Sequence, residues 1–180
     1  MAGEPTAAGA DTRQERAWAV LQTVPDPEVP ALSLVDLGVV REVRVRGAAA
    51  GSGMEVVLTP TYSGCPATEV IADSVRQALE AEGLGPVVLT QRLAPPWTTD
   101  WITEAGRRQL REYGIAPPAR IGAAHEMNEA QVVRLRPRDV ECPRCGSRHT
   151  ERLAPFGSTA CKALHRCLEC REPFEHFKPI

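Results

Sequence analysis

The chain has 180 residues and six cysteines, and its 21 Lys and Arg against 23 Asp and Glu leave a net charge of −2. That length allows one ordinary domain and a small second one. The near-neutral charge argues against a general nucleic-acid binder. No run approaches the roughly 20 apolar residues that span a membrane. We therefore expect neither a nucleic acid nor a membrane as a partner.

Residues 1–11 are small, acidic and rich in Ala and Gly, which predicts a disordered leader on a cytoplasmic protein. In that compartment cysteines are more often thiols or metal ligands than disulfides. A first helix is predicted over residues 12–23, with Ala17, Trp18 and Leu21 facing inward and Pro25 ending it.

A rigid acidic turn is predicted next, because Asp26-Pro27-Glu28-Val29-Pro30 contains two prolines that also restrict the residues before them. Asp36 follows, and Gly38 should bend the chain so that this carboxylate reaches the rim of the fold. Asp36 is either a turn cap, which is the more common role, or a functional carboxylate.

Alternating and β-branched residues predict a half-exposed strand over 39–46, an antiparallel central strand over 54–59 and a third strand over 87–93. A helix should run from Cys65 to near Gly83, and a last helix, capped by Thr98 or Thr99, should end at Gly114. The prediction is an α+β sandwich (α-β-β-α-β-α) over residues 12–114. A linker over 115–131 would follow, with His125 solvated.

Cys65 lies where the apolar strand turns into a helix, in Thr59-Pro60-Thr61-Tyr62-Ser63-Gly64-Cys65-Pro66. Pro66 suits the first helical position, which places Cys65 at or next to the N-cap. Unpaired amides and the helix dipole favour a thiolate there, so we predict an acidic thiol that is nucleophilic or binds metal. An equally good interpretation is a small buried hydrophobe that closes the turn.

Two Cys-x-x-Cys pairs, Cys142 with Cys145 and Cys167 with Cys170, are separated by 21 residues. This spacing predicts a zinc ribbon over residues 132–180, with strands near 147–153 and 173–178 and one structural zinc per chain. A single iron, as in a rubredoxin-like electron carrier, is the alternative. So small a ribbon has little core, so the metal should supply much of its stability.

Other groups in this region have weaker interpretations. Cys161 lies outside both pairs and is either a buried or an accessory thiol, while His149, His165 and His176 could replace a cysteine ligand, although four cysteines suffice. Residues 132–180 hold 10 Lys and Arg and 6 Asp and Glu, which is typical of a solvated basic surface beside an acidic body. Trp97 and Trp101 follow two prolines and favour corner packing.

Three of these motifs together resemble the domain shared by SufT-like and cytosolic iron–sulfur assembly factors: Asp26-Pro27-Glu28, Val35-Asp36-Leu37-Gly38 and the stretch ending at Cys65-Pro66. Pro95-Pro96-Trp97-Thr98-Thr99-Asp100-Trp101 and the tail motifs at residues 142–147 and 156–164 narrow the resemblance. The chain resembles the PaaD family, the D subunits of bacterial phenylacetyl-CoA epoxidase systems, from about residue 15 to residue 180.

This resemblance implies an accessory role rather than catalysis. The PaaD family is thought to assist iron–sulfur or iron insertion into the multicomponent oxygenase of phenylacetate catabolism, so the partners would be its oxygenase and reductase subunits. In related factors the cysteine matching Cys65 is reactive and an acidic residue matching Asp36 lies near it, which implies transient iron or cluster binding by these two residues. Two subunits of a homodimer could share such a cluster.

The residues leave three hypotheses. In the first, Cys65 carries iron or a cluster, Asp36 tunes that site and the ribbon docks a client. In the second, Cys65 is structural and the protein is a docking scaffold. In the third, iron in the four-cysteine site passes electrons. The sequence contains no paired Glu-x-x-His motifs for a di-iron centre and no Gly-rich nucleotide loop, which agrees with a non-enzymatic role.

Overall fold

The computed structural model describes residues 7–47, 53–120 and 140–180, which fall into two compact units, Met1–Trp97 and Thr98–Ile180. Helices and small mixed sheets make up both units, so the predicted α+β class is confirmed. In these parts of the chain, no helix combines the length and the apolar character needed to span a membrane.

The first unit is an open three-stranded sheet with two helices, as far as its residues are described. Its elements are α1 (Ala7–Leu21), β1 (Val40–Arg46), β2 (Gly53–Leu58), α2 (Thr68–Ala81) and β3 (Val87–Gln91). The strand order is β1-β2-β3, with β1 antiparallel and β3 parallel to β2. The parallel pair requires a crossover, which α2 supplies. The predicted central position of β2 is confirmed.

Apolar burial holds this unit together. The β2 side chains Met54, Val56 and Val57 are at most 2% exposed although successive residues point to opposite faces. On α2 the buried residues are Ile71, Val75 and Leu79, which recur every four positions and so form one stripe. Helix α1 contacts β1 and α2, and α2 contacts β3.

The segment between α1 and β1 is irregular but packed. Leu32, Leu34 and Leu37 are at most 2% exposed, and Asp26 Oδ1 accepts the N–H groups of Glu28 and Val29 at 2.9 and 2.8 Å. The Asp26 carboxylate thereby satisfies the backbone of the predicted proline turn.

Trp97 is the aromatic anchor of this irregular segment. Its ring is 3% exposed, and its Nε1–H donates to the carbonyl oxygen of Leu37 at 3.1 Å. A buried indole needs such an acceptor. The predicted packing role of Trp97 is therefore confirmed.

The second unit contains a 3-10 turn (Thr99–Trp101), helix α3 (Glu104–Glu112) and strands β4 (Ile115–Ala116), β5 (Thr150–Ala154), β6 (Lys162–Cys167) and β7 (Pro173–Phe177). Its sheet order is β4-β7-β6-β5. Strand β4 runs parallel to β7, whereas β6 is antiparallel to both β5 and β7. Strands β5 and β7 match the two predicted ribbon strands, and β6 was not predicted.

The leader prediction is wrong for residues 7–11, because α1 begins at Ala7 rather than near Thr12. Alanine has the highest helix propensity, so the Ala-rich segment extends the helix toward the N-terminus. Residues 1–6 lie outside the described residues.

The prediction of one helix from Thr98 to Gly114 is also wrong, because two helical segments with separate caps occupy this stretch. Thr98 accepts the N–H of Asp100 at the 3-10 turn, and Thr103 accepts the N–H of Gly106 at 2.9 Å at the start of α3. Between them, Ile102 is extended, with ψ 124°, and this interrupts the helix.

The chain also divides at a different place from the predicted boundaries of 12–114 and 115–131. Helix α3 and strand β4 lie in the second unit, because Ile115 and Ala116 pair with β7 and the Thr99 N–H donates to the Ile180 carbonyl at 3.1 Å. The first two residues of the predicted linker are thus a strand, while residues 121–131, including His125, lie outside the described residues.

A buried ion pair in the second unit yields a stability prediction. The Lys162 side chain is 3% exposed, and its Nζ lies 3.0 Å from Glu175 Oε2, while Glu175 Oε1 accepts the Ser158 N–H at 2.5 Å. Glu175→Ala should lower the free energy of unfolding by about 3 to 5 kcal/mol, because it leaves a buried ammonium without its counter-charge. Lys162→Met should lower the free energy of unfolding clearly less, because the Glu175 carboxylate is more exposed and still accepts the Ser158 N–H. Guanidinium unfolding at saturating zinc measures both, and equal losses would contradict the prediction.

Candidate functional site

The four predicted ligand cysteines converge in the second unit. The sulfur atoms of Cys142, Cys145, Cys167 and Cys170 all lie within 4.8 Å of one another. Across the two pairs, Cys142 Sγ is 3.8 Å from Cys170 Sγ, and Cys145 Sγ is 3.5 Å from Cys167 Sγ. Cys142 and Cys167 are buried, whereas Cys145 and Cys170 are exposed, so the site lies at the surface of a small core.

The cluster fits a tetrahedral metal ion. A zinc–sulfur bond of about 2.3 Å places the sulfurs of a regular tetrahedron about 3.8 Å apart, close to the two separations given above. Four sulfur ligands close the coordination shell, which is typical of a structural site. The residues present therefore fit a metal with a preference for thiolates.

Each cysteine pair is shaped by a residue in the left-handed backbone region directly after its second cysteine. These residues are Gly146 (φ 75°) and Arg171 (φ 63°). In the first pair the Gly146 N–H donates to the Cys142 carbonyl at 2.9 Å, which turns the chain back on itself. Glycine adopts this conformation readily, whereas the side chain of Arg171 disfavours it, so the second turn is not evident from the sequence.

Backbone amides also act on the sulfurs. The Cys170 N–H, partly opposed by burial, lowers the pKa of Cys167 to about 7. The Ser147 N–H is the largest single influence on Cys145 and favours its thiolate, but the hydrogen bonds with the other three sulfurs and burial together outweigh it and raise the pKa of Cys145 to about 12. Four sulfurs this close share protons, and a bound divalent cation is what allows all four to ionise together.

The three histidines of this unit that the structure describes do not join the cysteine cluster. His149 is exposed, with Nδ1 3.1 Å from Glu169 Oε1. His165 and His176 pack edge to face with ring centroids 5.3 Å apart, and burial lowers the pKa of His176 to about 4, so its ring is neutral at pH 7. Cys161 is likewise separate: it is 4% exposed, and its sulfur lies 3.0 Å from Thr159 Oγ1.

Cys65 lies in the first unit, in the turn between β2 and α2. Its N–H donates to the Tyr62 carbonyl at 3.2 Å, and its own carbonyl accepts the Thr68 hydroxyl at 2.8 Å. Helix α2 begins at Thr68 with Ala67 as its N-cap, two residues later than the predicted start at Pro66, so Cys65 lies two positions before the N-cap. Because Thr68 bonds back to the turn, residues 65–67 form a separate turn before the helix.

The predicted acidity of Cys65 is wrong. Burial raises the pKa of the Cys65 thiol; the Ala67 N–H opposes this, and the carboxylates of Glu28 and Asp26 raise the pKa further. The proline turn thus contributes negative charge near the sulfur, and this effect together with desolvation outweighs the helix amides. The half-buried thiol is therefore protonated at neutral pH, and neither of the two sequence interpretations describes it fully.

Asp36 is buried rather than at the rim, with 5% of its surface exposed. Its Oδ2 accepts the Ser33 hydroxyl at 2.8 Å and also the Gln22 amide, and its N–H donates to Ser33 Oγ at 2.9 Å. Three residues later, the Val39 carbonyl accepts the Thr59 N–H at 2.8 Å, so this segment adjoins the end of β2 from which the chain continues to Cys65.

The comparisons with known proteins agree with this two-part architecture. Residues 14–88 match the family described as an iron–sulfur cluster assembly protein, and residues 127–178 match the PaaD zinc beta ribbon domain. The chain is 48% identical over 163 residues to the Escherichia coli protein named as the D subunit of a "Putative 1,2-phenylacetyl-CoA epoxidase", and the match covers 91% of each chain. The chain belongs to the PaaD family.

One further relative and one solved structure each match part of this PaaD-family chain. It is 33% identical over 92 residues to the "Fe-S protein maturation auxiliary factor" of Porphyromonas gingivalis, which covers 51% of the chain and 84% of that protein. The crystal structure of a domain of unknown function, DUF59, from Bacillus anthracis has a TM-score of 0.53 at 22% identity, covering 58% of this chain and 97% of that one. The second likeness concerns the fold alone.

The four-cysteine geometry predicts that metal removal unfolds the second unit selectively. Stripping the PaaD-family chain with a high-affinity chelator should collapse the sheet of β5, β6 and β7, because few apolar groups hold it without the metal. Cys142→Ser should act in the same way, whereas Cys161→Ser should keep the metal, since Cys161 lies outside the cluster. Amide NMR dispersion, read separately for the two units, measures this. Retention of the β6 signals after complete metal loss would contradict it.

The environment of Cys65 predicts slow alkylation. At neutral pH iodoacetamide should modify Cys65 more slowly than an ordinary cysteine, because burial and the Glu28 and Asp26 carboxylates raise its pKa. Glu28→Gln removes one negative charge, lowers that pKa and should accelerate the reaction. Mass spectrometry of the peptide that contains Cys65 gives the rate, and Glu69→Gln is the matched control. Equal rates for Glu28→Gln and wild type would contradict the assignment.

Proposed function

We propose that this PaaD-family protein is a non-catalytic maturation factor of the phenylacetyl-CoA epoxidase oxygenase in phenylacetate catabolism. It assists iron–sulfur or iron insertion into the oxygenase and reductase subunits through Cys65, in the cytoplasm. The observation that carries the proposal is the iron–sulfur assembly match over residues 14–88, which includes Cys65, Asp36 and the acidic turn. The name of the Escherichia coli relative supports the link to the epoxidase, and the name of the Porphyromonas gingivalis relative supports a role in Fe-S maturation.

The surroundings of Cys65 suit transient rather than permanent metal binding. Among the described residues, the four cysteines of the ribbon are the group of three or more Cys, His, Asp or Glu residues close enough to share one ion, and Cys65 belongs to no such group. Cys65 therefore offers one sulfur, and the remaining positions of a bound iron or cluster are left for a client, a small ligand or a second copy of the chain. An incomplete shell of this kind allows transfer, whereas a closed shell retains its ion.

Charge near Cys65 also supports a cationic cargo. The Glu28 and Asp26 carboxylates act on the sulfur, so the local potential is negative and attracts a cation. We propose that Asp36, fixed by Ser33 and Gln22, holds the shape of this end of the sheet and so tunes the site. A carboxylate held by several hydrogen bonds is better suited to positioning than to moving toward an ion.

In the ribbon we propose one structural zinc per chain. The closed four-sulfur arrangement and the small apolar cluster of Ala116, Cys142, Cys167 and Phe174 around it support a structural ion, as does the match to a zinc beta ribbon. Iron in this site, with electron transfer as the function, is the alternative that elemental analysis distinguishes.

A second candidate function is docking, and a cleft in the second unit favours it. The cleft has a volume of about 650 Å³ and borders the first cysteine pair; Tyr113, Pro143, Arg144, Pro173 and Phe174 are among its lining residues. Aromatic and Arg side chains around a concavity are typical of protein-binding sites. If Cys65 has no chemical role, this cleft becomes the main functional feature.

The deciding experiment compares anaerobically purified wild type, Cys65→Ser and Cys161→Ser by elemental analysis and absorption spectroscopy, together with the iron content of co-produced epoxidase subunits. We expect about one zinc in all three proteins and substoichiometric iron that Cys65→Ser alone loses, with under-loaded epoxidase in that variant only. Zinc alone, with normal epoxidase in every case, would favour docking. A stable iron spectrum that survives Cys65→Ser would favour electron transfer.

A further inference from the structure

Four arginines mark one part of the first unit. Arg41, Arg44 and Arg46 come from β1, and Arg92 directly follows β3; we call these four residues the arginine surface. Arg44 and Arg92 have exposed side chains, at 60% and 37%. Nothing in the proposed metal chemistry of Cys65 uses them.

A β-bulge brings Arg41 into this group. In the register of β1 with β2, Val40 pairs with Leu58 and Glu42 pairs with Val57, so Arg41 is the extra residue between the two pairs. Strict alternation would direct Arg41 to the face opposite Glu42 and Arg44. A bulge re-aims a side chain locally, and bulges are over-represented next to functional sites.

Glu42 is the carboxylate around which the arginines gather. One of its oxygens accepts from Arg44 Nη2 and the other from Arg92 Nη1. The charges of Arg92 and Glu42 both act on Arg41. Burial lowers the pKa of Arg41, the positive charge of Arg92 lowers it further, and Glu42 opposes these effects. Two guanidinium groups thus bind one carboxylate, and the charge of a third arginine, Arg41, acts on the same carboxylate.

Positive charge is in excess here, although the unit as a whole is acidic. Glu55, which pairs with Arg44 across the sheet, is the second carboxylate of this face, so four arginines face two glutamates. The remainder of residues 1–97 carries 3 Arg and 10 Asp and Glu. The arginine surface is therefore a local site for negative charge in a unit that otherwise repels it.

The position of the arginine surface connects it with Cys65. Strand β2 ends at Leu58, whose neighbours are Val40 at the start of β1 and Gln91 at the end of β3. The Arg92 N–H donates to the Leu58 carbonyl at 2.9 Å, and the chain leaves this same end of β2 toward Cys65. Arg41, Glu42 and Arg92 thus lie at the sheet end from which the cysteine turn projects.

We propose that the arginine surface docks a partner protein through a short acidic segment of that partner, next to the Cys65 turn. This inference rests on the proposed function, because it describes how a client protein would be held next to Cys65. Guanidinium groups bind carboxylates in paired, planar geometry, and Glu42 already presents such an arrangement within the chain. Carboxylates of the partner replace or join Glu42 as counter-charges.

The setting favours an acidic protein segment over other anions. The arginine surface follows strand β1 and the end of β3, so its guanidinium groups are spread along an open sheet rather than gathered at a helix N-terminus, which is a usual site for a phosphate. An extended nucleic acid would have to pass the surrounding acidic surface of the unit, which repels a long polyanion. The arginines follow β1 from Arg41 to Arg46, so a short extended run of Asp and Glu lying along this strand matches the positive charge.

The test titrates the full-length, zinc-loaded protein with a hexaglutamate peptide at low salt and maps binding by amide NMR. We expect shifts in β1 and at Arg92, and binding about fivefold weaker or more in Arg41→Gln/Arg92→Gln. Arg16→Gln/Arg76→Gln removes two guanidinium groups of the same unit elsewhere and should bind within twofold of wild type. Glu42→Gln removes the internal competitor and should bind about twofold to fivefold tighter.

Each remaining outcome overturns the proposal. These outcomes are equal weakening in the two double variants, weaker binding by Glu42→Gln, and no mapped binding to wild type. Tighter binding of tripolyphosphate or of a DNA hexanucleotide at the same residues would identify a phosphate or nucleic-acid surface instead. Cys65→Ser should bind hexaglutamate as wild type does, so failure of this inference and failure of the proposed function of Cys65 are read out separately.

Discussion

Burial of β2 on both faces is the constraint on which the first unit depends. A strand whose side chains are covered on both sides must lie between two paired neighbours, and β1 and β3 take these positions in opposite directions. The end of β2 is therefore surrounded by chain segments. The Asp36 segment, the bulge at Arg41, the Arg92 backbone and the turn that carries Cys65 all adjoin it. The candidate functional residues cluster there because the central strand can leave the sheet only at its ends.

The second unit is organised by charge and metal ligation more than by apolar area. Its sheet buries Phe174 and Phe177, but it also buries Lys162 and His165, which a purely apolar core excludes. Lys162 is tolerated because Glu175 supplies the counter-charge and orders the loop through Ser158. A metal ion held by the four sulfurs would connect β6 to both cysteine turns and so stabilise a unit whose size limits its apolar burial.

The four-cysteine site and Cys65 differ in how completely they could surround a metal ion. The ribbon offers four sulfurs in a closed shell beside an apolar cluster, and exchange of its ion would require the unit to open. Cys65 offers one half-buried sulfur near two carboxylates, so a bound ion would be attracted by charge yet incompletely ligated. The proposed delivery of iron would use both properties, a fixed scaffold and a labile ligand, and the residues that offer them lie in separate units.

Local spacing by itself determined the four-cysteine site, the central strand and the helix that follows Cys65. These features depend on residues close in sequence: two tight Cys-x-x-Cys turns, one β-branched run, and apolar residues at helical intervals.

Tertiary structure decided the rest. Strand β6 was not predicted because its buried residues include the polar residues Lys162 and His165. Their burial depends on partners from β7. The boundary at residue 97 depends on the pairing of Ile115 and Ala116 with a strand near the C-terminus. The chemistry of Cys65 followed the same rule, since helix amides alone predict an acidic thiol. The fold instead adds desolvation and brings the Glu28 and Asp26 charges from nearly 40 residues earlier in the chain, and this raises its pKa.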